Sequence, residues 1–327
     1  MSFEKFVLRN QYKKVQGLGD RLDHVKDMID WERFRPFFAD LFFDDDKIGG
    51  RPHYDEIVMM KVLVLQRFYG LSDQETEFQI NDRTSFKNFL GFPDKIPDYT
   101  TIWTLKERMQ QNGTIEKVWS ELQRQLDAKG LKVKNGVIQD ATFIEADFGK
   151  KRHYKEKKAE KRGEKIEYTD KQRAHMDKDG TFAVKNKQVH YGYKLHQKTD
   201  VDHGLIREFH MTTASTHDNN IDLTEQNDDT VYRDKGYFGV KPHPDVNDMT
   251  MKRAVRGRPL TMEEKKYNKA IAKVRSPGER PFAVLRRVFH GGRTCVKNIK
   301  RVSVHGMMDC FAYNLYQLFT LKKQRKW

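Results

Sequence analysis

The sequence of 327 residues has only two cysteines, Cys295 and Cys310, and no long uninterrupted run of apolar residues. Two cysteines outside a C-x-x-C pair exclude a disulfide framework, so we expect both to be small buried side chains. The longest apolar stretches, residues 57–65 and 310–321, contain polar residues and fall short of the roughly 20 residues that a membrane helix needs. The N-terminus lacks the layout of a signal peptide. These absences favour a protein of a reducing cytoplasm without a membrane partner.

Acidic residues are too few to balance the basic ones. The chain has 62 Lys and Arg against 47 Asp and Glu, a formal net charge of +15. Such an excess favours a polyanionic partner, which without a membrane segment is expected to be nucleic acid. A merely soluble basic protein is the alternative. Within residues 252–301 there are 16 Lys and Arg against three acids, and we expect this segment to face phosphates.

Residues 51–130 have the pattern of short helices joined by tight turns. Residues 54–69 are apolar almost all round, which predicts a buried helix that ends at Gly70. Ser72 is expected to cap the next helix, and two more are predicted near residues 98–109 and 115–128. A helix-turn-helix DNA-binding domain and a packing domain that never touches DNA fit this pattern equally well. Residues 1–50, aromatic-rich before an acidic run at 44–46, are interpreted as an arm or packing segment.

Beyond residue 130 the pattern changes to strands mixed with helices. Strands are predicted at residues 137–144, 189–198, 205–212, 230–232 and 250–255. Helices are predicted at residues 217–225, 261–273, 276–289 and 307–322. This order implies an α/β domain over residues 131–327, with a mixed sheet flanked by helices. Residues 150–187 are basic and poor in apolar side chains, which predicts an inserted loop or exposed hairpin that either contacts DNA or is simply solvated.

Three acidic residues are candidates for the chemistry. Asp140 lies within a predicted strand on the face of Ile138, where a carboxylate is costly unless it is paired or binds a metal. Asp234 follows a short strand, and the alternative for it is structural, because an aspartate before Lys-Gly is common in turns. Glu279 has a structural alternative, because Ser276 and the residues after it fit a capping box with proline at the first helical position. Asp147, just past the first strand, is the rival to Asp140.

Three gathered carboxylates suit the cleavage of a phosphodiester bond. That reaction needs an activated water or hydroxyl and a stabilised leaving oxygen, and two metal ions about 3.5–4 Å apart supply both. Magnesium prefers oxygen ligands, so a few carboxylates suffice. The arginines around Glu279 would offset the phosphate charge; these are Arg275, Arg280, Arg286 and Arg287. A solvated charged helix face is the alternative for them.

The three candidate carboxylates lie in three distinct blocks of the sequence. They are Val-Ile-Gln-Asp140-Ala-Thr, Val-Tyr-Arg-Asp234-Lys-Gly-Tyr-Phe-Gly and Arg275-x3-Glu279-x6-Arg286. These blocks resemble those of bacterial insertion-sequence transposases of the DDE type. Residues 54–101 resemble the helical N-terminal domain of the same family. In the third block, Ala272 stands where the family often has Tyr, and Arg286 stands where it has Lys. Arginine keeps the charge of lysine but changes the hydrogen-bonding geometry.

The resemblance implies a ribonuclease H-like catalytic core after a helical N-terminal domain. It implies that Asp140, Asp234 and Glu279 bind two Mg²⁺ ions, with Mn²⁺ as a substitute. Arg275 and Arg286 would position the phosphate, and Lys235 is expected to contact DNA with Arg280 and Arg287.

The implied partners are double-stranded DNA, as terminal inverted repeats and target, and further copies of the chain in a homodimer or larger oligomer. The expected location is the bacterial cytoplasm, on the nucleoid when bound to DNA. A nuclease that cuts without joining, and a DNA-binding protein without catalysis, are the alternatives.

Overall fold

The computed structural model describes residues 3–42, 53–111, 113–148, 155–156, 158–185 and 187–325. As the sequence predicts, helices make up the N-terminal part. They are α1 (Phe3–Gly17), α2 (Arg21–Lys26), α3 (Arg35–Ala39), α4 (Glu56–Phe68), α5 (Asp73–Asp82), α6 (Thr84–Phe89), α7 (Tyr99–Met109) and α8 (Thr114–Ala128). The acidic run at residues 44–46 lies outside the described residues.

A mixed sheet with further helices follows. Its strands in the described residues are β1 (Val137–Ala146), β2 (Thr181–Lys185), β3 (Gln188–Asp200), β4 (Ile206–Thr213), β5 (Thr230–Arg233), β6 (Asn247–Thr250) and β7 (Arg293–Thr294). The main order is β2-β3-β1-β5-β6, with β4 beside β3 and β7 beside β1. Strand β1 is antiparallel to β3 and parallel to β5, so the predicted mixed sheet is confirmed. The later helices are α9 (Asp170–Ala174), α10 (Met262–Arg275), α11 (Glu279–Arg287) and α12 (Ile299–Lys323).

Helix α4 is the buried helix that the apolar pattern predicts. Its N-cap is Asp55, whose side chain accepts a hydrogen bond from the Val58 N–H at 2.9 Å. It ends where Gly70 takes a φ of +61°, and the Leu71 N–H then donates to the Gln66 carbonyl at 2.9 Å. This left-handed glycine and backward hydrogen bond are the usual way to satisfy the last carbonyls of a helix. The predicted end at Gly70 is therefore confirmed.

The described part of residues 1–50 packs against the C-terminal helix. The rings of Trp31 and Phe34 lie with their centroids 6.4 and 5.7 Å from that of Phe311 on α12. Arg67 on α4 makes two hydrogen bonds of 2.6 and 2.8 Å to the carboxylate of Asp309 on α12. One apolar core includes side chains from the N-terminal helices, the sheet and α12. The division of the chain at residues 50 and 130 stays a prediction.

The hairpin predicted around residues 202–204 joins β3 to β4. The carboxylate of Asp200 accepts hydrogen bonds from the backbone N–H groups of His203 and Gly204, at 2.5 and 3.1 Å. Gly204 has a φ of +65°, which L side chains rarely adopt. The turn is therefore specified by its sequence.

Two predicted elements are wrong. Residues 217–225 form only a short 3-10 turn at Asp218–Asn220 rather than a helix. Their backbone bonds to the sheet instead, since the Ile221 carbonyl accepts from Nε2 of Gln139 at 2.8 Å. A strand at 250–255 is also absent, because pairing with β5 ends at Thr250 and Val255 makes only an isolated bridge.

The described part of the basic insertion is folded onto the domain. Strand β2 pairs with β3 as the outer arm of a hairpin, which agrees with the predicted exposed hairpin. The buried carboxylate of Asp177 accepts hydrogen bonds from the Tyr193 hydroxyl at 2.6 Å and the Asn298 N–H at 3.3 Å. Residues 150–154, 157 and 186 of the insertion lie outside the described residues. The insertion is thus anchored at its C-terminal side.

The two cysteines are both free, but only Cys310 is buried. The expectation that Cys295 is buried is wrong, because this residue follows the two-residue strand β7 at the surface. Within the described parts of the chain, no helix has the length and apolar character needed to cross a bilayer.

The Arg67–Asp309 pair should be important for stability. Both side chains are largely buried, so Asp309→Ala should lower the free energy of unfolding by about 3–5 kcal/mol by leaving Arg67 buried and unpaired. Urea denaturation measures this. Arg173→Ala is the control, because it breaks an exposed pair with Asp170 and should cost at most about 1 kcal/mol. Equal losses in the two variants would contradict the assigned role.

Candidate active site

Asp140 lies in the middle of β1, as predicted. Its side chain shares a face with Ile138 and Thr142 and is 24% exposed. Its Oδ1 accepts a hydrogen bond from the Ala141 N–H at 2.8 Å. Burial raises the pKa of this carboxyl, and the negative charge of Asp234 acts in the same direction; Arg275 and the Ala141 N–H oppose them. A carboxylate is therefore held in an environment that favours a bound cation.

Asp234 directly follows β5, the strand next to β1. Strands β1 and β5 run parallel, with Val137 opposite Val231 and Ile138 opposite Tyr232. Continuing this register by two residues places Asp234 opposite Asp140 on the same face of the sheet. Because adjacent strands lie about 4.7–4.9 Å apart, the two carboxylates are close neighbours.

Asp234 also performs the turn role that its sequence context predicts. Its Oδ1 accepts a hydrogen bond from the Gly236 N–H at 2.7 Å and so caps the turn Lys235–Tyr237. A Cβ added to Gly236 would lie 2.9 Å from that oxygen, so glycine lets the carboxylate fold back. The second carboxylate oxygen makes no hydrogen bond among the described residues. The structural and functional interpretations of Asp234 are therefore compatible.

A buried arginine, not predicted from the sequence, fixes this strand pair. Arg233 is fully buried, and its Nε and Nη2 donate to Oε1 of Gln139 at 3.0 and 2.8 Å. Arg233 also forms an ion pair with Asp222. Gln139 and Arg233 are the residues immediately before Asp140 and Asp234. Their hydrogen bonds therefore hold the two carboxylates in register.

Glu279 is the first residue of α11 and is exposed. The preceding Gly278 packs directly on β1, since a Cβ there would lie 2.7 Å from Cγ2 of Ile138. The predicted capping box is wrong: neither the turn Ser276–Gly278 nor α11 has a side-chain cap, because the chain passes from α10 into α11 in helical conformation. Among the described residues the carboxylate of Glu279 has no hydrogen-bond or ion-pair partner.

The three predicted carboxylates do not form a closed cluster. Across the described ranges, no three or more His, Cys, Asp or Glu side chains lie close enough together to hold a metal ion. The structure brings Asp140 and Asp234 together, whereas Glu279 starts a helix that rests on the same strand. The rival Asp147 is exposed beyond the end of β1 and lines a different cavity of about 550 Å³.

Arg275, for which a phosphate contact is predicted, contacts Asp140 in the structure. It is the last residue of α10, and its Nη2 donates to Oδ2 of Asp140 at 2.7 Å. Its Nη1 reaches only the sulfur of Met251 at 3.9 Å. Its Nε is buried without a hydrogen-bond partner in the described residues. The guanidinium is therefore only partly satisfied in this position.

The other predicted DNA contacts divide into two kinds. Arg286 donates to Oγ1 of Thr142 at 2.6 Å and to the Phe143 carbonyl at 3.4 Å, so it braces α11 against β1. Arg280, Arg287 and Lys235 are exposed and make no ion pair within the described chain. These three have their charges available to a ligand.

A cleft of about 670 Å³ opens beside Asp234. Basic side chains line it, and the sequence did not single out all of them; they are Lys185, Lys194, Lys235 and Arg253. Lys185 and Arg253 belong to the two basic segments that composition had marked. Lys194 lies on a strand and pairs with Asp218 at 2.8 Å, and no sequence pattern indicates this role.

The donor set at the carboxylate pair fits a hard divalent cation. Asp140 and Asp234 offer carboxylate oxygens, which Mg²⁺ prefers. Two nearby polar groups are buried without hydrogen-bond partners in the described residues: the hydroxyl of Tyr237 and the amide of Gln197. Gln197 stands directly opposite Asp140 on β3. Burial raises the pKa of the Tyr237 hydroxyl, and the charges of Asp218, Asp140 and Asp234 act in the same direction. Unpartnered buried groups are expected where an ion or water completes a site.

Two known families match the chain. A transposase domain (DUF772) matches residues 9–108, and the transposase DDE domain matches residues 131–315, more than half of the sequence. The chain therefore belongs to the family of DDE transposases, and the ribonuclease H-like fold expected from the sequence is confirmed. The transposase for insertion sequence element IS1106 of Neisseria meningitidis serogroup B is 31% identical over 219 residues, 63% of this chain and 74% of the relative. No solved structure gives a significant match.

The close approach of Gly278 to Ile138 leads to a stability prediction. Gly278→Ala should force α11 away from β1 and lower the free energy of unfolding by about 1–3 kcal/mol, the usual cost of overpacking. Adding Ile138→Ala should make the effect of Gly278→Ala smaller than in the wild-type background, which a double-mutant cycle in urea measures. Gly17→Ala, with open space around it, is the control. Strict additivity of the two substitutions would contradict the contact.

Proposed function

We propose that this chain is an insertion-sequence transposase that cuts the ends of its element and joins the freed 3′ hydroxyl to target DNA. The observation that carries the proposal is the placement of Asp140 on β1 and of Asp234 directly after the parallel strand β5, within a chain that belongs to the DDE family. The name of the relative at 31% identity supports the link to an insertion sequence.

Asp140 and Asp234 would hold the divalent cations, Mg²⁺ with Mn²⁺ as a substitute. When bound, two such ions would promote attack by water or hydroxyl and stabilise the leaving oxygen in an in-line displacement. Glu279 is the proposed third carboxylate. Its support is that the residue is uncommitted to any partner in the described chain, while Gly278 before it is fixed on β1 two residues from Asp140. A side-chain rearrangement of Glu279 toward the pair would complete the set.

The proposed substrate is double-stranded DNA, as terminal inverted repeats and as target. Arg280, Arg287 and Lys235 would bind phosphates, because their charges are exposed and unpaired in the described residues. Arg286 would help to position the phosphate by keeping α11 in place against β1. Arg275 would reach a phosphate after leaving Asp140. A dimer or larger oligomer of this chain on DNA is part of the proposal, since two element ends must be held for joining.

Strand cleavage of a labelled element end with Mg²⁺ or Mn²⁺ tests the two aspartates. Asp140→Asn and Asp234→Asn should each lower the cleavage rate by about 100-fold or more, because a metal ion contributes several kcal/mol to the transition state. Asp147→Asn is the matched control and should cut like the wild type. If Asp140→Asn cuts as well as the wild type, the assignment is wrong. Hydrolysis without any joined product would support a nuclease instead.

Glu279 needs a separate test, because its carboxylate stands apart from the pair. Glu279→Gln keeps the size and helix position but removes the charge, so we expect a loss of about 100-fold in cleavage rate with no change in the free energy of unfolding. Glu263→Gln, an exposed carboxylate in the first turn of α10, is the control and should leave the rate unchanged. An active Glu279→Gln variant would show that Asp140 and Asp234 work without it.

A further inference from the structure

The contact between Arg275 and Asp140 suggests how the site is kept inactive without DNA. We propose that Arg275 holds the Asp140 carboxylate in DNA-free protein and releases it when a DNA phosphate takes over the guanidinium. Asp140 then becomes available to a divalent cation, so metal loading depends on DNA. This inference rests on the proposed function, because it assumes that Asp140 is a metal ligand.

The geometry places the guanidinium in competition with a cation. Nη2 of Arg275 lies 2.7 Å from Oδ2 of Asp140, while the other oxygen of Asp140 accepts the Ala141 N–H. Both carboxylate oxygens are therefore occupied by donors. The side chains are 14% and 24% exposed, so solvent does not weaken the pair as it would at the surface. A cation that takes the lone pair of Oδ2 used by Arg275 must displace the guanidinium, and one that binds beside it is repelled by the charge of Arg275.

The guanidinium of Arg275 is only partly hydrogen-bonded in this position, which favours its release to a better acceptor. Its bond to Asp140 is a single contact by one nitrogen, Nη1 meets only a sulfur, and Nε is buried without a partner in the described residues. A phosphate offers two oxygens in the fork geometry that arginine binds best. Exposed basic side chains nearby, Lys235 and Arg253 on the cleft beside Asp234, would bring DNA to this position.

The consequence is a coupling between two ligands. A carboxylate that is free in only a fraction of molecules binds metal with an apparent affinity reduced by that fraction. If Arg275 occupies Asp140 in about nine of ten molecules, the apparent dissociation constant for metal is about tenfold larger than that of the open site. DNA removes this loss by removing Arg275, and by reciprocity metal favours the DNA-bound position of Arg275.

The test measures Mn²⁺ binding to the full chain with and without a short DNA duplex. The electron paramagnetic resonance signal of free Mn²⁺ reports how much is bound. Binding that remains in Asp140→Asn is subtracted, which removes Mn²⁺ held by the DNA itself. The wild type should bind Mn²⁺ weakly alone and about tenfold more tightly with DNA. Arg275→Gln should bind tightly without DNA and gain nothing from it. Arg275→Lys, which keeps a charge able to pair with Asp140, should lie between them.

Arg301→Gln is the matched control, since Arg301 forms a partly buried pair with Glu107 at the same 2.7 Å distance. Its Mn²⁺ affinity should equal that of the wild type, and an equal gain there would attribute the effect to lost positive charge and overturn the proposal. Arg275→Gln that binds Mn²⁺ as weakly as the wild type, while remaining folded by thermal unfolding, would also overturn it. Absence of any Asp140-dependent Mn²⁺ binding, with or without DNA, would refute the assignment of Asp140 under the proposed function itself.

Discussion

The parallel pairing of β1 with β5 is the constraint on which the candidate site depends. It is held by Arg233, whose fully buried guanidinium bonds to Gln139 on β1 and to Asp222. A buried arginine without partners would cost several kcal/mol, so the two strands cannot slip without a large penalty. A slip of one residue would also turn one aspartate to the opposite face. The proximity of Asp140 and Asp234 is thus a property of the sheet, and no loop needs to order to create it.

The proximity of the two carboxylates is electrostatically unfavourable, and a neighbouring positive charge offsets it. Burial raises the pKa of Asp140, and repulsion by the half-buried carboxylate of Asp234 raises it further. Arg275 supplies the positive charge that the pair requires. Partly buried carboxylates are retained in proteins where a positive charge or a metal ion offsets them. The fold therefore tolerates a local arrangement that would be unfavourable elsewhere in the core, which is typical of functional sites.

The sequence predicted those parts of the molecule that depend on local chemistry. Helix α4, its end at Gly70, the turn at Gly204 and strand β1 follow from short-range patterns, and Asp140 stood out because a strand is a poor place for a lone carboxylate. The failures lie where distant groups decide. Residues 217–225 are not a helix, since Gln139 binds their backbone from the sheet. The capping box at Ser276 fails because α10 continues almost directly into α11.

The basic C-terminal segment shows why charge counts alone mislead about a DNA interface. Four of its arginines, at 275, 280, 286 and 287, contribute the same charge to the count. In the fold, Arg275 neutralises Asp140 and Arg286 braces α11 against β1, which leaves Arg280 and Arg287 free to meet a phosphate. Removal of any one of the four would lower the net charge by the same amount. Only the removal of Arg280 or Arg287 would act through the loss of charge alone. Loss of Arg286 would move α11, and with it Glu279. Loss of Arg275 would leave the carboxylate of Asp140 without its ion-pair partner.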